Sequence, residues 1–221
     1  MINKKSLAAT SVAAFAAAGG AHVQAIPMQW AAADGGNDHW YELDRQNLSW
    51  TGARQNALDK GGYLATITSA EENSAVNLLI TLIEGSLLDG NLDIAVWLGG
   101  SDTAEEGIWT WADGPEAGDQ FWDGDKEGTA PAGAYANWVL AEPNNFDPGE
   151  DHLGMYFLGG VWNDFGDLPS GGLSGTPGFF SVIEYDSEPV PASAIPVTGT
   201  AALTLLGLAG LAAGRRRKKA A

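Results

Sequence analysis

The chain has 221 residues, with 28 Asp and Glu against 11 Lys and Arg, a net charge of −17 and no cysteine. So acidic a surface repels nucleic acid and anionic lipid, which excludes a nucleic-acid partner. The lack of Cys excludes disulfides as a source of stability.

The ends differ from the body. Lys4 and Lys5 precede an apolar run from Leu7 to Ala18, and Val23-Gln24-Ala25 offers small residues for cleavage. Residues 1–25 therefore read as a secretory signal peptide, and the protein is expected to be exported. All acidic residues lie between Asp34 and Glu188, where the only basic ones are Arg45, Arg54, Lys60 and Lys126. About 160 residues remain between the ends, enough for one domain with a core of its own.

Residues 26–38 are rich in Ala and Gly and read as a mobile lead-in to a domain spanning 39–186. Trp40–Leu43 is expected to be a strand. Ser49 can cap a helix burying Trp50, Ala53, Ala57 and Leu58, which Gly61-Gly62 ends. Tyr63–Ile67 is strand-like. Ser69 and Glu72 have the spacing of a capping box, with Glu72 reaching back to the Ser69 N–H. The helix it opens presents Val76, Leu79, Ile80 and Ile83 at helical spacing. Beyond it the pattern is one of short strands: Ile94–Gly99, Ile108–Trp111, Leu153–Leu158, Gly160–Trp162 and Phe179–Tyr185. The connections 112–136 and 141–151 are long, irregular and rich in Gly, Pro, Asp and Asn, which in a compact domain points to function. Helices first and strands afterwards indicate an α+β fold. Residues 187–194 read as a linker. In the tail, 195–221, an apolar run of seventeen residues (197–213) precedes Arg215–Lys219. That run is at the short limit for a membrane-spanning helix, with the basic cluster on the cytoplasmic side. The expected location is the cell envelope, cell surface or extracellular matrix, with the chain initially tethered by 197–213.

The chemistry concentrates in Glu142, Asn144, Glu150, Asn163 and Asp164. Each offers a carboxylate or amide oxygen, and no thiolate competes, so the set suits a hard cation, Ca²⁺ before Zn²⁺. The spare lone pairs and N–H groups of such a set can meet sugar hydroxyls. Catalysis is disfavoured. Glu142 and Glu150 could be read as a glycosidase pair, but they share a loop with amides that a cation would neutralise. No Ser-His-Asp order, Cys-His pair or phosphate loop is present, so the protein is read as a non-enzyme. His39 and His152 are expected to be half-buried, hydrogen-bonded histidines.

The ordered series Gly61-Gly62-Tyr63-Leu64-Ala65-Thr66-Ile67, Trp97-Leu98-Gly99-Gly100, Trp109-Thr110-Trp111, Asn137-Trp138, Glu142-Pro143-Asn144 and Trp162-Asn163-Asp164 resembles the C-type lectin domain. The resemblance covers His39 to Tyr185. It implies a double-looped α+β fold of two early helices, antiparallel strands and long Ca²⁺-binding loops, with the domain's ends paired as strands. It further implies that Glu142, Asn144, Glu150, Asn163 and Asp164 hold Ca²⁺ and a glycan of the mannose, glucose or fucose type, with a cis peptide before Pro143. An auxiliary Ca²⁺ site would comprise Asp102, Glu106, Asn145, Glu150 and Asp151, with Asn145 standing where a carboxylate is usual. The family's disulfides are missing: Ala57 and Ile183 stand at one pair of positions, and His152 at a third. The alternative is a protein-binding domain of the same fold with structural Ca²⁺. The tail, Ile195-Pro196-Val197-Thr198-Gly199 and beyond, resembles the bacterial PEP-CTERM class of sorting signals in a VPLPA-like variant. This implies an exosortase-type processing enzyme as partner. A sortase signal and a permanent anchor remain open alternatives.

Overall fold

The computed structural model describes residues 26–84, 95–146, 149–167 and 179–190. The expected signal peptide and sorting tail lie outside the described residues. Among the described residues no helix is long and apolar enough to cross a membrane.

Nine strands and two helices follow in the order β1 (Met28–Gln29), β2 (Trp40–Asp44), α1 (Trp50–Asp59), β3 (Tyr63–Leu64), α2 (Ala70–Glu84), β4 (Ala95–Ser101), β5 (Ile108–Trp111), β6 (Gln120–Asp123), β7 (His152–Tyr156), β8 (Trp162–Phe165) and β9 (Phe180–Tyr185). The ends of the domain pair as expected: β2 runs antiparallel to β9, with Trp40 opposite Tyr185 and Asp44 opposite Ser181. The sheet is mixed rather than wholly antiparallel, because β4 lies parallel to β9 through Val96–Phe180 and Trp97–Ser181. A parallel pair needs a long connection, and the whole stretch between β4 and β9 supplies it.

Helix α1 begins where Ser49 Oγ accepts the Gly52 N–H at 3.2 Å. Trp50, Ala53 and Ala57 are buried on its inner face, but Leu58 is 41 % exposed. The apolar stripe is therefore narrower than the sequence suggests. At α2 the Ser69 half of the capping box forms, with Glu72 N–H donating to Ser69 Oγ at 3.1 Å. The Glu72 carboxylate passes over the Ser69 N–H, however, and accepts from Thr68 N–H at 2.7 Å and Thr68 Oγ1 at 2.9 Å. Its other oxygen accepts from the Tyr41 hydroxyl and from Asn37 Nδ2. Thr68, four residues back, thus takes one carboxylate oxygen, and tertiary partners hold the other.

The lead-in is ordered as well: β1 pairs with β2, and Trp30 N–H donates to His39 O at 3.0 Å. The connection 112–136 contains β6, paired with β5. Tyr63–Ile67 is a strand only over its first two residues.

Two apolar clusters form the core. One joins Tyr41, Val76, Ile80, Leu98, Trp109, Trp111 and Trp162; the other joins Trp50, Ala57, Trp97, Phe179 and Ile183. Two indole N–H groups tie the layers together, Trp50 Nε1 to Leu98 O at 2.7 Å and Trp97 Nε1 to Leu48 O at 2.9 Å. Ala57 and Ile183, at positions where a disulfide is implied, are fully buried in the second cluster. His152 is buried and stacks on Trp50, with 4.4 Å between centroids and 8° between planes.

Acid is buried along the β2–β9 edge. Lys60 Nζ donates to Glu42 Oε1 at 2.9 Å and Asp44 Oδ2 at 2.7 Å. Tyr185 OH closes on Glu42 Oε2 at 2.8 Å, and Asn56 on Asp44. Burial raises the Asp44 pKa, but the Lys60 and Gln46 hydrogen bonds outweigh it and hold the carboxyl below its ordinary value. Removing one member of such a pair leaves buried charge uncompensated. Lys60→Met is expected to cost about 3 kcal/mol, the low end for buried pairs, because a quarter of the lysine side chain meets water. An unchanged urea midpoint would show that the pair contributes nothing to stability.

Candidate functional site

The loop after Val139 turns tightly, with Glu142 N–H donating to Val139 O, and the Glu142–Pro143 peptide is cis. It folds back onto β8 through one carboxylate. Asp164 Oδ2 accepts the backbone N–H groups of Asn144 at 2.9 Å and Asn145 at 2.7 Å. Three further bonds brace the loop internally. Asn145 Oδ1 accepts from Gly149 and Glu150 N–H at 3.1 and 3.2 Å, and Glu150 Oε2 accepts from Phe146 N–H at 2.9 Å. Asn163 donates its Nδ2 to Asp164 O at 2.8 Å.

These bonds leave a particular remainder. Glu142 Oε2, Asn163 Oδ1 and Asp164 Oδ1 are buried and receive no hydrogen bond. An unpartnered buried oxygen costs about 1–3 kcal/mol, and three come from three of the five predicted residues. Burial, then the contact with the Asp164 carboxyl, which becomes a hydrogen bond only when one of the two is protonated, and the negative charges of Asp164 and Glu150 push the Glu142 carboxyl up to about 7. Of the other two predicted residues, Asn144 is held by its backbone with an exposed side chain, and Glu150 is half-buried. No predicted member of the principal set falls elsewhere in the fold.

The auxiliary set is only partly assembled. Asp102 is 3 % exposed; its Oδ2 accepts Gly107 N–H at 2.9 Å, and its Oδ1 is buried without a partner. Asp102 N–H donates to Asp151 O at 3.2 Å. Desolvation raises its carboxyl to about 7, opposed by the Gly107 N–H and reinforced by Glu106 and Asp151. Glu106 itself is exposed. The amide oxygen of Asn145 is engaged in bracing its own loop, so it stands in the role of a loop clamp.

Among the described residues no group of three or more His, Cys, Asp or Glu is gathered to hold a metal. The donor set explains this: it mixes carboxylates with amides, and Glu150 is turned toward Phe146. What the residues do fit is a hard cation, since the orphaned atoms are all oxygens and the surrounding charge is negative. The histidines stand apart from this chemistry. His39 Nδ1 lies 2.6 Å from Glu184 Oε1, and its pKa is raised chiefly by that bond. Burial lowers that of His152. The bracing by Asn145 and the Phe146 N–H carried no sequence signal, because both depend on the loop's conformation.

The profile of the family described as "Lectin C-type domain" matches residues 46–164. The chain belongs to the C-type lectin domain family. Among its relatives, halomucin of Haloquadratum walsbyi is 35 % identical over 111 residues, covering 48 % of this chain and 1 % of that one. The galactose-specific lectin nattectin of Thalassophryne nattereri is 26 % identical over 124 residues, 56 % of this chain and 64 % of its own. A type-2 ice-structuring protein of Hemitripterus americanus is 36 % identical over 75 residues, 34 % of this chain and 39 % of its own. The match thus spans less than two thirds of each of these relatives. Of the three, nattectin is a lectin by name.

The two raised carboxyls predict a pH signature. A folded-state pKa above the unfolded value stabilises the fold below the unfolded pKa, and that stability is lost as pH rises through about 7. In chelator, the melting temperature should therefore fall between pH 5 and pH 8. Glu184, His39 and His152 also titrate differently on folding, so the informative quantity is the difference made by millimolar Ca²⁺. Calcium should flatten the fall, and a slope identical with and without it would remove the loop carboxyls from the argument.

Proposed function

We propose that this C-type lectin domain is a Ca²⁺-dependent carbohydrate-binding module, displayed at a cell surface or in an extracellular matrix. The observation that carries the reading is the trio of buried oxygens without donors, Glu142 Oε2, Asn163 Oδ1 and Asp164 Oδ1. Glu142, Asn144, Glu150, Asn163 and Asp164 would hold the cation, and Asp102, Glu106 and Asp151 a second one, with Asn145 bracing the loop between them. Bound Ca²⁺ supplies a centre on which two neighbouring sugar hydroxyls can be coordinated. The chain's own side chains then orient those hydroxyls: Glu142 and Glu150 accept O–H protons, while Asn144 and the second N–H of Asn163 donate. This layout favours mannose-, glucose- or fucose-type sugars.

The second reading is a domain of the same fold that binds a protein and keeps Ca²⁺ as a structural element. The ice-structuring relative favours weighing it, since the fold evidently serves ligands other than sugars.

The double substitution Glu142→Gln with Asn144→Asp separates them. It preserves oxygen donors and net charge, so Ca²⁺ affinity should stay close to that of the parent. The hydrogen-bond polarity around the bound diol reverses, and each mismatched partner costs about 1–3 kcal/mol. Calorimetry should show about tenfold or greater weakening for mannose- or glucose-type ligands. Equal binding by both proteins would move the sugar site elsewhere; no sugar binding by either would favour the protein-binding reading.

Export belongs to the same proposal. The mature chain should begin near Ile26 and lack Arg215–Arg217, removed by an exosortase- or sortase-type enzyme. Intact-mass measurement of the native surface protein tests this, and recovery of the arginines in the mature chain would leave a permanent anchor.

A further inference from the structure

A cleft of about 300 Å³ opens between the end of the β3 loop, strands β5 and β6, and the segment around 131–135. None of its lining residues belongs to the loop site. Its floor is aromatic: Trp111 and Phe121 stack at 4.3 Å with 26° between planes, and half-buried Tyr135 stands at the side. Its polar wall is made of Glu116, Asp119, Gln120 and Thr68.

What that wall can offer follows from its hydrogen bonds. The Thr68 hydroxyl proton is given to Glu72, and Gln120 Nε2 is given to Trp122 O at 3.0 Å. Glu116 takes one hydrogen bond on Oε2, from Thr66 Oγ1 at 3.0 Å, which leaves Oε1 for a ligand. Apart from the Tyr135 hydroxyl and the second N–H of Gln120, the side-chain groups left are acceptors, two of them carboxylates. Among the described residues lining the cleft none is Lys, Arg or His. Elsewhere Arg54 pairs with Asp113, and Lys60 with Glu42 and Asp44. The wall therefore calls for a positively charged group with several donors. A metal ion is a poor match, since Ca²⁺ takes about six to eight oxygens and two carboxylates in an open cleft fall short. An ammonium group brings three N–H donors on a carbon body, and that body can rest on half-buried Tyr135, while Trp111 and Phe121, 3 % and 2 % exposed, close the base of the cleft.

We propose that this cleft is a second glycan subsite that takes the protonated amine of an amino sugar. The choice of a sugar over a lysine side chain rests on the carbohydrate reading above; the ammonium chemistry rests on the cleft alone. Carboxylates on the wall discriminate by charge: an acetylated amine loses its positive charge and two of its donors, so it should be rejected.

The probe is D-glucosamine, titrated calorimetrically into the full-length protein in Ca²⁺ and in chelator, against N-acetylglucosamine and lysine amide. Glucosamine is expected to bind at the cleft equally well in chelator, with N-acetylglucosamine about tenfold or more weaker. Glu116→Gln with Asp119→Asn should weaken glucosamine by about tenfold or more, while leaving any Ca²⁺-dependent sugar binding unchanged. Because Glu116 also receives the Thr66 hydroxyl, a second variant fills the space instead: Ala132→Trp, at the exposed lip, should block glucosamine without touching the carboxylates. In chelator, where the loop site holds no Ca²⁺, binding that survives both variants, or equal affinity for the acetylated sugar, overturns the proposal. Tighter binding of lysine amide than of glucosamine overturns the sugar assignment. Loss of Ca²⁺-dependent sugar binding alone, with glucosamine still held in the cleft, overturns the loop reading and not this one.

Discussion

The structure depends on how it accommodates buried acid. Glu42, Glu72, Glu184, Asp44, Asp102 and Asp164 are each no more than 5 % exposed, in a body with four basic residues. A buried carboxylate must be paired, hydrogen-bonded or protonated. Along the β2–β9 edge every one of these conditions is met by the chain itself. Lys60 serves Glu42 and Asp44, while Tyr41 and Thr68 serve Glu72. His39 and Thr66 serve Glu184, whose pKa is still raised by its burial. At Asp164 in the loop site and at Asp102 the condition is met on one carboxylate oxygen only, and the other is left without a donor. The difference between the two regions is the physical content of the word "site" here: one has partners for its acid and the other needs them from outside.

The way the loop is prepared is visible within single side chains. Asp164 uses Oδ2 to hold two backbone N–H groups and leaves Oδ1 bare. Asp102 does the same with Gly107. Half of each carboxylate thus fixes the backbone, and the other half is positioned by that fixing. Preorganisation of this kind lowers the ordering cost that a weakly bound ligand must overcome. It also ties residues 144–145 to β8 in a cysteine-free domain, through hydrogen bonds from their own backbone.

How much was legible in the residues follows from the range of the forces involved. Helix α1 and the strands at 108–111 and 180–185 were readable because capping and alternation are local. Glu142, Asn163 and Asp164 were readable because an ordered series of motifs fixed their place in a known fold. The structure departs wherever a distant partner overrode a local preference. Glu72 had a capping partner one turn away, yet Thr68, Tyr41 and Asn37 together hold it. The lead-in looked unstructured by composition, but β2 had an open edge and β1 pairs with it. Leu58 matched the helical stripe and is turned outward because Ala53 and Ala57 already bring α1 close to its neighbours.

The positions where the family's disulfides are missing show the same substitution of packing for covalent constraint. A disulfide acts mainly by restricting the unfolded chain, and nothing in a folded structure replaces that effect directly. What the chain has instead acts on the folded side. Ala57 and Ile183 are packed without exposure, His152 lies flat on Trp50, and Asp167 receives Thr51 N–H at 3.0 Å and its hydroxyl at 2.7 Å at the start of α1. An anion at a helix N-terminus is favourable by about 0.3–1 kcal/mol, and a stacked aromatic pair by about 0.5–1.5 kcal/mol. Each is smaller than the several kcal/mol typical of a disulfide, so the folded state must be supported by other means as well. Ligation of the bare oxygens would be one such means, since anything that binds only the folded chain stabilises it. The unpaired oxygens and the stability are therefore linked: they weaken the unliganded fold, and a ligand that satisfied them would offset part of what the missing disulfides do not supply.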